Sequence, residues 1–187
     1  SGLSSLGGTI VAGNVLVGNC GFYSLFLALG GSYEFLHCTI ANYWGYSNRI
    51  TPAVMLSNFY AVSETQTLTA DLVKADFGNC IIDGRRENEL GIADAGAGFE
   101  YFFRSCYLKA DASVPVHDVE HFSGVITGEE PGFENIAGYN YLLKQDAFAR
   151  DKGEEALALL VPFDLSGNSR LADEAPDPGV FETLPEK

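Results

Sequence analysis

Positive charge is scarce in this chain. Eleven lysines and arginines stand against 25 acids, giving a formal net charge of −14 over 187 residues. Binding to nucleic acid or to an anionic membrane surface depends largely on neutralising phosphates, so a surface of this sign repels both. Long apolar runs are missing too: no stretch of 18 apolar residues occurs, and nothing here inserts into a bilayer as a helix. Cysteine comes to four, with no CxxC pair and no His-x-His pattern, so the usual zinc spacing is absent. No GxSxG phrase marks a hydrolase nucleophile. Charge of either sign is sparse in the first part of the chain. Residues 1–75 hold only Glu34, Glu64, Asp71, Arg49 and Lys74, and every other acid and base falls in 76–187.

What is present is 47% hydrophobic residues and 21 glycines, a loop-rich globular composition, neither disordered nor collagen-like. The length suits one domain with a sizeable core. The cysteines stand in similar phrases: VGNCGF (17–22), FLHCTI (35–40), FGNCII (77–82) and FRSCYL (103–108). LSNFYA (56–61) and FSGVIT (122–127) carry Phe59 and Val125 in the cysteine's place. Positions 20, 38, 59, 80, 106 and 125 are separated by 18, 21, 21, 26 and 19 residues. A period near twenty marks a solenoid. Two-helix repeats need more than about thirty residues, and the LxxLxLxxN phrase of leucine-rich repeats is missing. Segments such as TIVAGNVLV and YSLFLAL are short, β-branched or aromatic, and punctuated by Gly and Asn, so the repeat is built of strands. The expected fold is all-β: a right-handed parallel β-helix of about six rungs of ~21 residues.

The parity of positions describes each rung. Three places before the key site stand Val17, Phe35, Leu56, Phe77, Phe103 and Phe122; two places after it stand Phe22, Ile40, Ala61, Ile82, Leu108 and Thr127. Side chains alternate across a strand, so all three sites face inward only if the chain bends between them. The residue before each key site is Asn19, His37, Asn58, Asn79, Ser105 or Gly124. Asn and Gly adopt left-handed corners most readily. The phrase predicts strand, corner, strand, with Cys20 over Cys38 and Cys80 over Cys106 as free, buried thiols acting as small hydrophobes. Beyond residue 127 the recurrence stops. Residues 1–127 are expected to form the rungs, and 128–187 a C-terminal tail that caps the exposed strand edges within the same structural domain.

That tail contains Glu130-Pro131-Gly132-Phe133, Tyr141-Leu142-Leu143, the run Asp146 to Gly153, Asp164 with Gly167 and Arg170, and Asp177 with Gly179 and Glu182. In this order the phrases resemble the tail of right-handed parallel β-helix proteins of the choice-of-anchor Q (pectate-lyase-like) type, found on surfaces of Bacteroidetes-like bacteria. The chain departs from that pattern at Glu130 and at Asp146-Ala147, where the family has Asp and Ser-Pro. The resemblance implies an extracellular or bacterial outer-surface setting. It also leads us to expect further coils before GGTIVAGNVLV, which reads as a coil already under way.

Three stretches are candidate sites. NYWGYSNR offers Tyr43, Trp44, Tyr46, Asn48 and Arg49, aromatic rings to stack on sugars beside groups that bond hydroxyls or carboxylates. The bland alternative is that these rings pack back on a neighbouring loop. IIDGRRENEL is the densest charged group. In a lyase Arg85 or Arg86 would be the base, with Glu87 and Glu89 holding a cation; otherwise it is a solvated loop with local ion pairs. DLSGNSR names Asp164 as a candidate ligand for Ca²⁺, but a turn stabilised by Asp164 and Arg170 is the favoured reading. His117 and His121 would suit a metal only on a helix, which Pro115 opposes. The leading expectation is a non-catalytic surface domain that binds a polysaccharide or surface protein without a cofactor. A polysaccharide lyase or glycoside hydrolase, or a rigid spacer, are the alternatives.

Overall fold

The computed structural model describes residues 1–185; Glu186 and Lys187, the last positions of the expected tail, lie outside the described residues. The chain runs through three parallel sheets in turn. The first circuit is β1 (Leu3–Leu6), β2 (Thr9–Gly13) and β3 (Leu16–Gly18), and the second is β4 (Leu25–Ala28), β5 (Gly31–Leu36) and β6 (Thr39–Asn42). The third opens with β7 (Val54–Ser57) and is interrupted by an antiparallel hairpin, β8 (Phe59–Ala61) and β9 (Thr67–Thr69). It then resumes as β10 (Leu72–Gly78) and β11 (Ile81–Gly84). The fourth is β12 (Leu90–Ala93), β13 (Phe102–Arg104) and β14 (Tyr107–Leu108), after which β15 (Phe122–Ser123) extends the second sheet. The sheets therefore order as β1-β4-β7-β12, β2-β5-β10-β13-β15 and β3-β6-β11-β14. The architecture is all-β with parallel sheets, as expected.

The core lies between the three sheets. Leu25, Val54 and Leu90 line it from the first sheet, Phe35, Phe77, Phe103 and Phe122 from the second, and Ile40, Ile82 and Leu108 from the third. Parallel register puts like residue on like residue at the spacing of adjacent strands. Phe35 stacks on Phe77 with ring centroids 5.0 Å apart, Phe77 on Phe103 at 4.7 Å, and Phe103 on Phe122 at 5.4 Å. The bend between the second and third sheets is made by Asn14, His37, Asn79, Ser105 and Gly124, all with positive φ. Their N–H groups continue the ladder: Asn14 donates to Leu36, His37 to Gly78, Asn79 to Arg104 and Ser105 to Ser123. Just inside each bend the thiols of Cys38, Cys80 and Cys106 are buried, and Cys80 and Cys106 accept the backbone N–H of Cys38 and Cys80 at 3.4 Å. All four cysteines are free.

The register corrects the expected period and rung count. Phe35 pairs with Phe77, 42 residues on, so the chain makes four circuits with a partial fifth, not six rungs. The hairpin and a long loop enlarge the third circuit. Phe59 belongs to that hairpin rather than to the cysteine file, and Asn58 holds a loop by bonding Asp94 and Ala97. In the first circuit Val15, not Cys20, occupies the inner position, because Val17 pairs with Ile40. Cys20 lies beyond β3, past a second positive-φ asparagine, Asn19.

The segment after residue 128 runs along the flank of the circuits. β16 (Phe133–Asn135) and β17 (Asn140–Leu143) form an antiparallel hairpin whose Phe133, Tyr141 and Leu143 cover Ala41, Ile81 and Tyr107 on the outer face of the third sheet. A single helical turn, α1 (Glu155–Ala158), packs Leu157 against Leu36 over the second sheet at Gly78. Backbone groups of Phe163, Glu154 and Val180 then bond Asn14, Asn79 and Thr39 from successive circuits. The loop 109–121 sends Val114 and Val116 into the core cluster that also holds Phe122. Among the described residues no helix is long and apolar enough to cross a membrane.

Candidate functional site

Stacking circuits also stacks their connections. The turns that carry the chain from the third sheet onward are 19–24, 43–53, 85–89 and 109–121, and they meet at one corner. Residues about forty positions apart thereby become neighbours. A cavity of about 520 Å³ opens there, lined by Trp44, Gly45, Ser47, Asn48 and Arg49 of one turn, Arg85, Arg86, Glu87 and Asn88 of the next, and Asp111 of the third. A second hollow of about 390 Å³ adjoins it, lined by Tyr43, Trp44, Tyr46, Arg85 and Tyr139 among others. Trp44, Gly45 and Arg85 line both. The two stretches singled out separately in the sequence thus form one trough.

Its foundation is an ion pair. Arg49, expected as an exposed ligand-binding group, is only 6% exposed. It donates to both oxygens of the wholly buried Glu89, at 2.5 and 2.9 Å, and also to the carbonyls of Asn42 and Thr51. Glu89 further accepts the N–H of Ala53 at 2.7 Å and of Arg86 at 2.9 Å. A carboxylate with this many donors has no lone pair to spare, so Glu89 is a positioning group and not the cation ligand the lyase reading assigned it. The pair ties the turn 43–53 to the turn 85–89, so neither Arg49 nor Glu89 is available to a ligand as a free charge.

Tyr43 is likewise drawn inward. Its ring stacks on Tyr141 at 6.4 Å and meets Phe133 edge-on, and its hydroxyl donates to Asp83. Asp83 is fully buried, with the Lys109 ammonium 3.6 Å away. Burial pushes the Asp83 carboxyl up, and burial with the Asp83 charge pushes the Tyr43 hydroxyl up. Trp44 instead lies against Gly21, with its indole N–H on Ser47 at 2.8 Å, and meets Tyr46 edge-on with centroids 5.0 Å apart. Tyr46 is 81% exposed, and Asn48 is exposed as well. Arg85 donates from Nε to the Tyr43 carbonyl and rests beside Gly45; Arg86 donates to the Arg49 carbonyl.

Tyr139, Asn88 and Asp111 were not anticipated. Tyr139 reaches the trough from the turn of the β16–β17 hairpin, at positive φ. The AGYN phrase there signals only a turn, because the pairing that brings it over the trough is long-range. Asp111 binds the N–H and hydroxyl of Ser113, which hold its carboxyl below the usual range. Asp164 lies elsewhere, in the tail. Its oxygens accept the N–H groups of Ser166, Asn168 and Glu182 and the side-chain amide of Asn168, so four donors occupy the lone pairs a cation would need. It organises a turn. His121 stacks on Tyr101 and bonds its carbonyl, and among the described residues no cluster of His, Cys, Asp and Glu is arranged to hold a metal. Compared with family models, with curated proteins and with solved structures, the chain matches none.

Proposed function

We propose that the chain is a right-handed parallel β-helix domain of the choice-of-anchor Q type that works outside the cell or on a bacterial outer surface. There it binds a polysaccharide, without catalysis, in the trough around Trp44. Three parallel sheets entered in a fixed rotation support the β-helix reading, because parallel crossovers are right-handed almost without exception. One observation carries the ligand: two adjoining hollows share Trp44 and Arg85 as a common wall, so indole and tyrosine rings stand beside guanidinium and amide donors. Rings of sugar stack on such faces while the donors bond hydroxyls. The non-catalytic reading is favoured by Glu89, whose oxygens are spent on Arg49 and backbone N–H groups. A lyase or hydrolase is the second reading, because Glu87 and Asp111 line the same cavity as Arg86.

Retention on immobilised uronate-containing and neutral polysaccharides, followed alongside release of unsaturated product, tests both. Trp44→Ala is expected to weaken retention roughly tenfold or more, the loss of one stacked ring. Product formation that disappears in Arg86→Ala would overturn the non-catalytic reading.

A further inference from the structure

We infer that the Arg85–Arg86 side of the trough is a seat for an oxyanion, a carboxylate or a sulfate ester, carried by the bound glycan. The inference rests on the glycan reading for what carries the anion, and on the following observations for the anion itself. The chain has six arginines, and four of them hold a carboxylate within 3.6 Å: Arg49 with Glu89, Arg104 with Glu154, Arg150 with Asp173 and Arg170 with Glu182. In a protein with 25 acids that is the ordinary fate of an arginine. Arg85 and Arg86 are the two that make no such pair among the described residues, and they are adjacent and line one cavity. Each spends a single N–H on a backbone carbonyl, that of Tyr43 or Arg49. Among the described residues their remaining N–H groups have no acceptor; Arg85 is exposed, and the unpartnered Arg86 Nε is buried.

A charged donor without an acceptor is costly in proportion to its burial, so an oxygen atom supplied at Arg86 stabilises the site. Guanidinium forks match the flat, two-oxygen edge of a carboxylate or sulfate. The carboxylates that also line the cavity do not fill that role. Asp111 is turned to Ser113, and Glu87 forms no ion pair with either arginine. Trp44 and Tyr46 flank the seat, so an anionic sugar would lay its ring on the indole while its charged group reaches the arginines.

Trp44 is the only tryptophan, and its fluorescence reports on this trough alone. The experiment titrates the protein with D-glucuronate, D-glucose 6-sulfate and D-glucose at constant ionic strength, with sodium sulfate as the bare anion. Charged sugars are expected to bind about tenfold tighter than glucose, the worth of one charge-assisted bond. Arg85→Ala and the conservative Arg86→Lys should each remove that preference without changing the melting temperature by more than a degree or two. Equal binding of glucose and its charged analogues would overturn the oxyanion seat and leave the glycan reading intact. A saturable response to sulfate with none to any sugar would sustain the seat and remove the glycan reading. No response to any probe would overturn both.

Discussion

Arg170 is wholly buried, and the groups around it are acidic. It donates to Asn14 Oδ1 at 2.7 Å and to the Gly179 carbonyl at 3.0 Å, and stands 3.6 Å from Glu182. Three buried carboxyls, Asp164, Asp177 and Glu182, act on this one cation. Asp164 and Asp177 are each held by several N–H donors, whereas Glu182 has only the Asp177 N–H and the distant guanidinium. Glu182 therefore takes the proton: burial first, then the Asp177 charge, pushes it up to about 8. Beside it, burial and Arg170 push the His37 imidazole down to about 3. The two groups act on stability in opposite directions. Unfolded His37 binds a proton below 6.5 that the folded chain accepts only near 3, so stability is lost as pH falls through that window. Glu182 keeps when folded a proton that the unfolded chain releases above 4.5, so stability is lost as pH rises toward 8. We predict a melting temperature highest between pH 4.5 and 6.5, with a decline from 6.5 to 8 that Glu182→Gln removes. A wild-type melting temperature that climbs from pH 6.5 to 8 would contradict this. The tail motif was legible in the sequence as a spaced set, Asp164, Gly167, Arg170, Asp177, Gly179 and Glu182. Its burial was not, since Arg170 meets Asn14 across 156 residues.

At the scale of elements, the sequence announces strand, corner and strand wherever the corner residue is followed by a buried thiol. His37, Asn79, Ser105 and Gly124 all turn at positive φ where the phrase places a corner, Asn79 and Gly124 as their type suggests, His37 and Ser105 because their place in the phrase requires it. It misleads where the same local chemistry occurs twice. Gly13-Asn14-Val15 and Gly18-Asn19-Cys20 are both left-handed corners, and only the pairing of Val17 with Ile40 decides which one stacks on His37. The hairpin β8–β9 was hidden for a similar reason. The hairpin (59–69) and the loop 43–53 together add close to one period, so the phrase around Phe59 falls into step with the true repeats. Corner geometry also explains a glycine that ends β11. A Cβ on Gly84 would stand 2.2 Å from Glu89 Oε1 and 2.5 Å from the Asn42 carbonyl, groups fixed by Arg49. Gly84→Ala is expected to lower stability in urea unfolding by roughly 1–3 kcal/mol, the usual cost of overpacking. An unchanged midpoint would mean that the Arg49–Glu89 pair does not hold the two turns together.

At the scale of the molecule, the trough exists because circuits stack in register. The aromatic turn and the double-arginine turn were each visible as candidates, but nothing in either stretch says that they touch. That follows from β6 lying beside β11, a relation set by the 42-residue step from Phe35 to Phe77. The acidic tail lies along the flank, tied to several circuits at once, which leaves the corner that carries Trp44 open. The register is therefore the claim on which both the fold and the site depend. A double-mutant cycle measures it directly: Phe35→Leu combined with Phe77→Leu, against Phe35→Leu combined with Phe59→Leu, each followed by equilibrium unfolding. The stacked pair should show a coupling of about 0.5 kcal/mol or more, and the Phe59 combination should be additive within about 0.3–0.5 kcal/mol. Coupling of Phe35 to Phe59, with additivity toward Phe77, would contradict the account.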